Sequence, residues 1–191
     1  MRHEPLSAAA TRKLLHKRTV ECCGYAREDG LFDIEGHLVD VKTHDITNLD
    51  RGSIKAGEPL HEMWLRLTVD LDLHVVGVEA ATVWGPYSMC GDITPNFQRL
   101  KGLKIKSGWT QKTRELLGGT QGCTHLVELL GPIATTAFQT IYEARAKRDR
   151  EAGSKKRPAL IDSCHAWASD SPVIAKRYPE FYTGSSKKAA G

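Results

Sequence analysis

Two adjacent segments with alternating apolar side chains constrain the fold more than any other feature of the sequence. In residues 63–69, Met63, Leu65, Leu67 and Val69 alternate with Trp64, Arg66 and Thr68. A period of two is typical of a strand with one buried face. Residues 75–84 form a second strand-like segment after a short turn. Because so short a connection joins antiparallel strands, we predict an antiparallel pair.

Other segments predict the rest of an α+β fold. Residues 24–41, with Asp29-Gly30 as the turn signal, indicate a second hairpin. Residues 109–117 predict a helix that Gly118-Gly119 ends, and residues 123–148 predict the longest helix. Pro132 is expected to kink that helix or to begin its second half. We therefore predict a small antiparallel sheet of two hairpins packed against C-terminal helices.

The chain is predicted to contain one main domain. Residues 1–20 are basic and indicate an arm or a short helix, and residues 21–148 form a single α+β metal-binding domain. The charged stretch around residues 149–158 is typical of a linker, because it has few apolar residues. Residues 160–182 regain aromatic side chains, so we expect this segment to pack back on the domain.

Composition excludes several classes of protein. The five cysteines are an odd number in a chain without a signal-peptide pattern, which argues against a disulfide framework. No apolar run is long enough to span a membrane. The net charge of +4 is mild and no nucleic-acid motif is present. We expect a cytoplasmic protein that binds a small-molecule substrate, with no nucleic-acid or membrane partner. The sequence is compatible with a homo-oligomer.

Cysteine and histidine side chains mark a candidate metal site. His61 stands at the start of the strongest strand, Cys90 follows Pro86, and Cys123 with His125 opens the long helix. Cys123 follows a glycine-rich loop, where a helix N-terminus favours a thiolate. Residues two apart on a helix diverge by about 200°, so Cys123 and His125 share an ion only if Cys123 precedes the helix. Zinc is favoured, and iron or an iron-sulfur cluster is second.

Other residues near these segments are candidates for catalysis and substrate binding. Arg66 is a candidate for binding a substrate carboxylate or phenolate, and Glu62 or Glu128 for moving a proton. Each has a structural alternative: Arg66 would pair with an acid across strands, tryptophans on strands usually pack, and Glu128 would be a solvated helix residue. A substrate pocket is predicted from aromatic and basic side chains, Tyr25, Arg27, Trp64 and Tyr87 with Trp84. Cys164 and His165 are candidates for a lid or for extra metal ligands. Four histidines are expected at the surface: His16, His37, His44 and His74.

Part of the chain resembles the NifU/IscU-type iron-sulfur cluster scaffold domains. His61-Glu62-Met63 stands where those scaffolds carry their first ligand motif, Lys101-Gly102 where a Lys-Gly pair closes the second ligand's helix, and residues 123–128 resemble the motif of the third ligand. The resemblance implies a sheet packed on helices with three convergent ligands. It departs from the family at Pro59, which replaces the first cysteine, and at Cys90, which lies about one helical turn too close to Lys101.

The whole chain also resembles a bacterial family of uncharacterised proteins. Its hallmark segments are residues 61–67, residues 117–126 with their glycines and Cys123, and residues 162–166 around Cys164-His165. This similarity implies no established activity.

The mixed His and Cys set favours a metalloenzyme over a cluster scaffold, whose ligands would be mainly cysteines. We expect a lyase or hydrolase that acts on an oxygenated bacterial catabolite, aromatic compounds included. Two alternatives remain: a carrier or scaffold for iron-sulfur clusters or zinc, and a metal-free binding module.

Overall fold

A computed structural model of the chain describes residues 6, 7, 9–154 and 156–184. The chain divides into two compact units, residues 1–146 and residues 147–191. Both ends of the chain, including the start of the predicted basic arm, lie outside the described residues.

The first unit is built on a four-stranded antiparallel sheet in the order β1-β2-β5-β6. The predicted hairpins are β1 with β2 and β5 with β6, and they join through the pairing of β2 with β5. A small second sheet pairs β3 with β4. The strands are β1 His16–Ala26, β2 Phe32–Lys42, β3 Ile46–Asn48, β4 Gly52–Ile54, β5 Pro59–Val69 and β6 Val75–Trp84.

Strand β1 begins inside the segment that the sequence predicted to be a basic arm. Its pairing with β2 starts at His16 opposite Lys42 and continues without a break to Ala26 opposite Phe32. Residues 16–20 are polar or exposed on both faces, and β1 is an edge strand of the sheet. The backbone ladder places this part of the strand in the sheet, and apolar periodicity gave no sign of it.

The helices of the first unit lie where the spacing of apolar residues predicted them. Helix α1, Trp109–Leu117, has the predicted bounds, and helix α2, Thr124–Glu151, runs as one helix through Pro132 rather than beginning again there. None of the described helices is both long and apolar enough to cross a membrane. Helix α3, Pro172–Arg177, belongs to the second unit, and 3₁₀ turns occupy Ser88–Gly91, Thr94–Leu100, Gly119–Gln121, His165–Trp167 and Pro179–Phe181.

Helix α2 covers one face of the sheet. The opposite face, here called the open face, carries exposed side chains such as Trp64 and Arg66 within the first unit. A Cβ atom at Gly36 would lie 2.7 Å from Cδ1 of Ile133, and one at Gly24 would lie 1.8 Å from Oγ1 of Thr140. The glycines therefore let the helix approach β1 and β2 closely. One buried cluster contains side chains from both layers, with Leu126, Leu129, Leu130, Ile133, Ala137 and Ile141 from the helix and Ile34, Leu38, Met63, Leu65, Leu67 and Val69 from the strands.

The second unit has its own small set of contacts. Ile161 and Ile174 are buried, and the guanidinium of Arg177 lies over the rings of Trp167 and Tyr178. The expectation that this segment packs back on the main domain stays a prediction.

Candidate metal centre

Asp40 is one of the two buried polar residues in the described part of the chain, and it organises the candidate site. It points to the helix-covered face of β2, and only 1% of its surface is exposed. Arg18 on β1 donates from Nε to Oδ1 and from Nη2 to Oδ2, both at 2.7 Å. Nε2 of His16 lies 3.2 Å from Oδ1. The Asp40 carboxylate is therefore held in a bidentate ion pair by Arg18, which lies on the edge strand β1.

Two further histidines approach the same carboxylate. His61 pairs with Asp40 across β2 and β5, and its Nδ1 lies 3.1 Å from Oδ2. His125 lies in the first turn of α2, and its Nε2 is 3.7 Å from Oδ2. The two imidazoles stack with their centroids 3.8 Å apart. One ligand atom from each of Asp40, His61 and His125 lies within 4.8 Å of the other two.

Burial and the charges around Asp40 shift the pKa values of Asp40, His61 and His125. Burial alone would raise the pKa of Asp40, but the hydrogen bonds and charge of Arg18, with smaller effects of His61 and His16, hold that pKa below its usual value. Burial lowers the pKa of His61, and the neighbouring His125 lowers it further. Burial and the charge of Arg18 lower the pKa of His125. These shifts favour an ionised carboxylate beside neutral imidazoles, which are the forms that bind metals.

The spacing of the three groups suits a transition metal. Bonds of 2.0–2.1 Å to one tetrahedral ion place neighbouring ligand atoms roughly 3.4 Å apart. The observed separations from Oδ2, 3.1 Å for His61 and 3.7 Å for His125, lie on either side of that value. The two imidazole ring planes are 30° apart. Two imidazoles and one carboxylate form a donor set typical of zinc and non-haem iron.

The structure brings together only part of the predicted ligand set. Among the described residues, the candidate metal group contains neither Cys90 nor Cys123. Cys123 does precede the helix, as the shared-ion argument required, but its Sγ contacts Sδ of Met63 at 3.7 Å and stays 3.9 Å from Nδ1 of His125. Cys90 lies in a 3₁₀ turn, where it packs against Gly85. His61 and His125 are thus brought together, with Asp40 in place of the cysteines.

The predicted catalytic residues on β5 point away from this group. Successive residues on a strand face opposite sides, so Glu62 and Arg66 lie on the open face while His61 faces the helix. Glu62 lies 3.2 Å from Nε2 of His37. Arg66 donates to Glu35 at 2.8 Å and to Glu79 at 2.7 Å, which is the cross-strand pairing foreseen as its structural role.

The predicted substrate pocket is spread over the open face and its edges. Trp64 is 38% exposed and stacks on His37 at 3.9 Å. Tyr25 is exposed on β1, and Arg27 pairs with Asp29 and Asp33 in the following turn. Tyr87 is exposed at the start of a 3₁₀ turn. None of these side chains belongs to the candidate metal group among the described residues.

The remaining predictions have mixed outcomes. Glu128 does lie beside the metal group, because its carboxylate accepts a hydrogen bond from Nη1 of Arg18. His16 is exposed, as expected, and also contacts Asp40, and His74 contacts Asp70. His37, expected at the surface, is partly buried and stacks on Trp64. Cys164 and His165 belong to the second unit, so their role as a lid or extra ligands stays a prediction.

Sequence reasoning missed Asp40 and Arg18. The signal for Asp40 is its position: it shares the face of Ile34, Gly36 and Leu38, so the alternation of β2 places an acid inward. An inward acid on a half-buried strand needs a buried partner. Arg18 carried no comparable signal, because strand β1 itself was not predicted at that position.

Comparisons with known proteins give a family and no activity. The model of a family described as a protein of unknown function, DUF2889, matches residues 16–139. No curated protein and no solved structure matches the chain, so the resemblance to NifU/IscU-type scaffolds has no support beyond the quoted motifs. The matched residues span the main sheet, α1 and the first half of α2. The chain therefore belongs to the DUF2889 family of proteins of unknown function.

Proposed function

We propose that this protein is a metal-dependent enzyme that acts on a small oxygenated molecule, with Asp40, His61 and His125 as the ligands of one divalent ion. The observation that supports this is the convergence of three ligand atoms from β2, β5 and α2 on the helix-covered side of the sheet. Such a group brings together side chains that lie far apart in the sequence.

The donor set is that of a catalytic site rather than a structural one. Structural zinc sites usually have four protein ligands, whereas catalytic sites keep a position open for water or substrate. An ion held by three side chains would lower the pKa of a bound water or polarise a substrate oxygen. That chemistry suits the lyase or hydrolase reaction expected from the sequence, with zinc favoured and iron(II) second.

Glu128 is the best-placed proton carrier near the group. Its side chain is 51% exposed, so it can exchange protons with solvent. Its hydrogen bond from Arg18 connects it to Asp40 without making it a ligand. Glu62, the other predicted proton carrier, lies on the opposite face of the sheet and is not proposed for that role.

The bidentate pair of Arg18 and Asp40 supports a second candidate, a metal-free binding module. In that case the histidines and Arg18 would serve only to satisfy a buried carboxylate. The metal measurement below separates the two candidates.

Metal content and metal titration test the proposal. We expect purified protein to carry about one equivalent of zinc or iron, and EDTA-treated protein to rebind one Zn²⁺ ion. His61→Gln or His125→Gln should weaken zinc binding by roughly 100-fold or more, because removing a ligand costs at least as much as disturbing its support.

Two control variants make the test specific. His37→Gln removes an imidazole from the open face of the sheet and should leave zinc binding unchanged. Cys123→Ser should also retain the ion. If the Cys123→Ser protein lost its zinc, Cys123 would be a ligand after all. If untreated protein holds no metal and binds no zinc, or if His61→Gln keeps full occupancy, the metalloenzyme proposal fails. Brown protein with acid-labile sulfide would instead favour the scaffold.

A further inference from the structure

A groove of about 400 Å³ runs between α1 and the first turns of α2. Volumes of a few hundred Å³ suit small organic ligands. Val127 supplies apolar surface, Arg114 and Glu128 supply charge, and Leu117 and Leu130 lie almost fully buried behind the lining. The groove lies wholly within the first unit.

The groove carries a cation without a protein partner. The guanidinium of Arg114 is exposed and makes no hydrogen bond or ion pair with any other residue that the structure describes. Arg18, in contrast, is fully engaged with Asp40 and Glu128. A planar guanidinium presents a fork of donors that matches a carboxylate.

Glu128 joins the groove to the candidate metal centre. It lines the groove, and its carboxylate accepts a hydrogen bond from Arg18, which holds Asp40.

We propose that this groove binds a small hydroxylated monocarboxylic acid, with Arg114 holding the carboxylate and the hydroxyl end directed towards Glu128. As the substrate of the metal centre, this ligand rests on the proposed function; as a ligand of the groove, it does not. Val127 contacts the body of the molecule. A second carboxylate would meet the negative charge of Glu128, so the ligand has only one.

The experiment is an NMR titration of the ¹⁵N-labelled full chain with 4-hydroxybenzoate, before and after zinc loading. This probe carries one carboxylate, one opposed hydroxyl and an apolar ring. We expect saturable shifts of the amides of Gly118, Gly119, Thr124 and Gly131, at millimolar concentrations or below. The uncharged analogue 4-hydroxybenzamide should bind roughly tenfold more weakly or worse, because it cannot form the charge-assisted pair.

Two variants and two controls locate the ligand. Arg114→Gln should weaken binding of 4-hydroxybenzoate roughly tenfold or more. Gly131→Leu should abolish it, because a Cβ atom at Gly131 meets no atom within 4 Å and the added side chain would occupy the groove. Residue 131 precedes Pro132, which disfavours a helical residue with a Cβ atom, so Gly131→Ala is the matched control: it adds that strain with a smaller side chain and should keep binding. Arg99→Gln removes an exposed charge outside the groove lining and should change nothing.

The outcomes separate this inference from the metal centre. Absence of groove shifts, shifts elsewhere, or unchanged binding by Gly131→Leu would overturn the groove proposal even if zinc binds. If the protein binds no zinc but still binds 4-hydroxybenzoate in the groove, the groove proposal is supported and the metalloenzyme proposal fails.

Discussion

At the scale of single residues, two of the three proposed ligands were found from the sequence and one was missed. His61 and His125 stood out because histidine is a common metal ligand and both lie where a loop meets a regular element. Asp40 lies within the alternating pattern of a strand, where an acid is usually read as outward. Its role depends on the pairing of β2 with β1 and β5, and that register is a tertiary property.

A second acid, Asp70, shows how one side chain fixes a turn. In the connection from β5 to β6, its Oδ1 accepts hydrogen bonds from the backbone N–H of Asp72 at 2.9 Å and of His74 at 2.8 Å. Between them, Leu73 adopts a left-handed conformation with φ of 67° while its side chain is buried. The carboxylate thus compensates for local strain.

We expect Asp70→Ala to lower the free energy of unfolding by about 1–2 kcal/mol, because backbone donors lose a charged acceptor. Burial would raise the pKa of Asp70, but the hydrogen bonds from His74 lower it below its usual value. The contribution should therefore be complete above about pH 4 and disappear as the pH falls through the lower pKa of the folded protein. Urea unfolding at several pH values measures this.

The matched control is Asp92→Ala, which removes an exposed carboxylate with no hydrogen bond or ion pair to a described residue. Equal effects of the two substitutions at neutral pH would contradict the turn argument.

At the scale of elements, the spacing of apolar residues predicted those strands and helices that have one buried face. Strands β5 and β6 and both helices of the first unit were found because each has one apolar face. The first residues of β1 and the pair β3 and β4 were missed, because polar edge strands have no such face. The predicted pocket was assembled from strand residues without regard to which side of the sheet they occupy. Alternation alone already separates Glu62, Trp64 and Arg66 from His61.

The contact of α2 with the edge strand gives an element-level prediction. Gly24→Ala should lower the free energy of unfolding by about 1–3 kcal/mol, because the new methyl group would overlap Thr140. Thermal or chemical unfolding measures the loss.

A double-mutant cycle assigns the cause of that loss. Thr140→Ala combined with Gly24→Ala should recover part of the stability, since it removes the nearest clashing atoms. Gly91→Ala, at a glycine with open space around its Cβ position, should be close to neutral. A Gly24→Ala protein as stable as the parent would show that the helix does not lie against β1 as described.

At the scale of the whole molecule, the core and the proposed sites belong to the first unit. Every residue of the main buried cluster lies between Ile34 and Ile141, and the family match ends at residue 139. The second unit contributes none of the proposed ligands. The chain divides between residues 146 and 147, and the domain boundaries expected from composition stay a prediction.

We predict that the first unit is stable by itself. Helix α2 ends at Glu151, and Gly153 follows it with a left-handed φ of 61°, so a chain ending at residue 153 keeps the whole helix. This fragment should unfold cooperatively within a few degrees of the full chain and bind zinc with the same affinity. Circular dichroism and zinc titration of both chains measure this. A fragment that lacks a cooperative transition would show that the second unit is required for folding.

The origin of the three ligands in β2, β5 and α2 has a consequence for how an ion would be acquired. During synthesis, residue 40 is available long before residue 125, and the donors converge only once the helix has docked on the sheet. Metallation would accordingly be a late event in the life of the polypeptide. Since donor sets of this kind discriminate poorly among first-row ions, the ion acquired in the cell would reflect which one is most available when docking is complete.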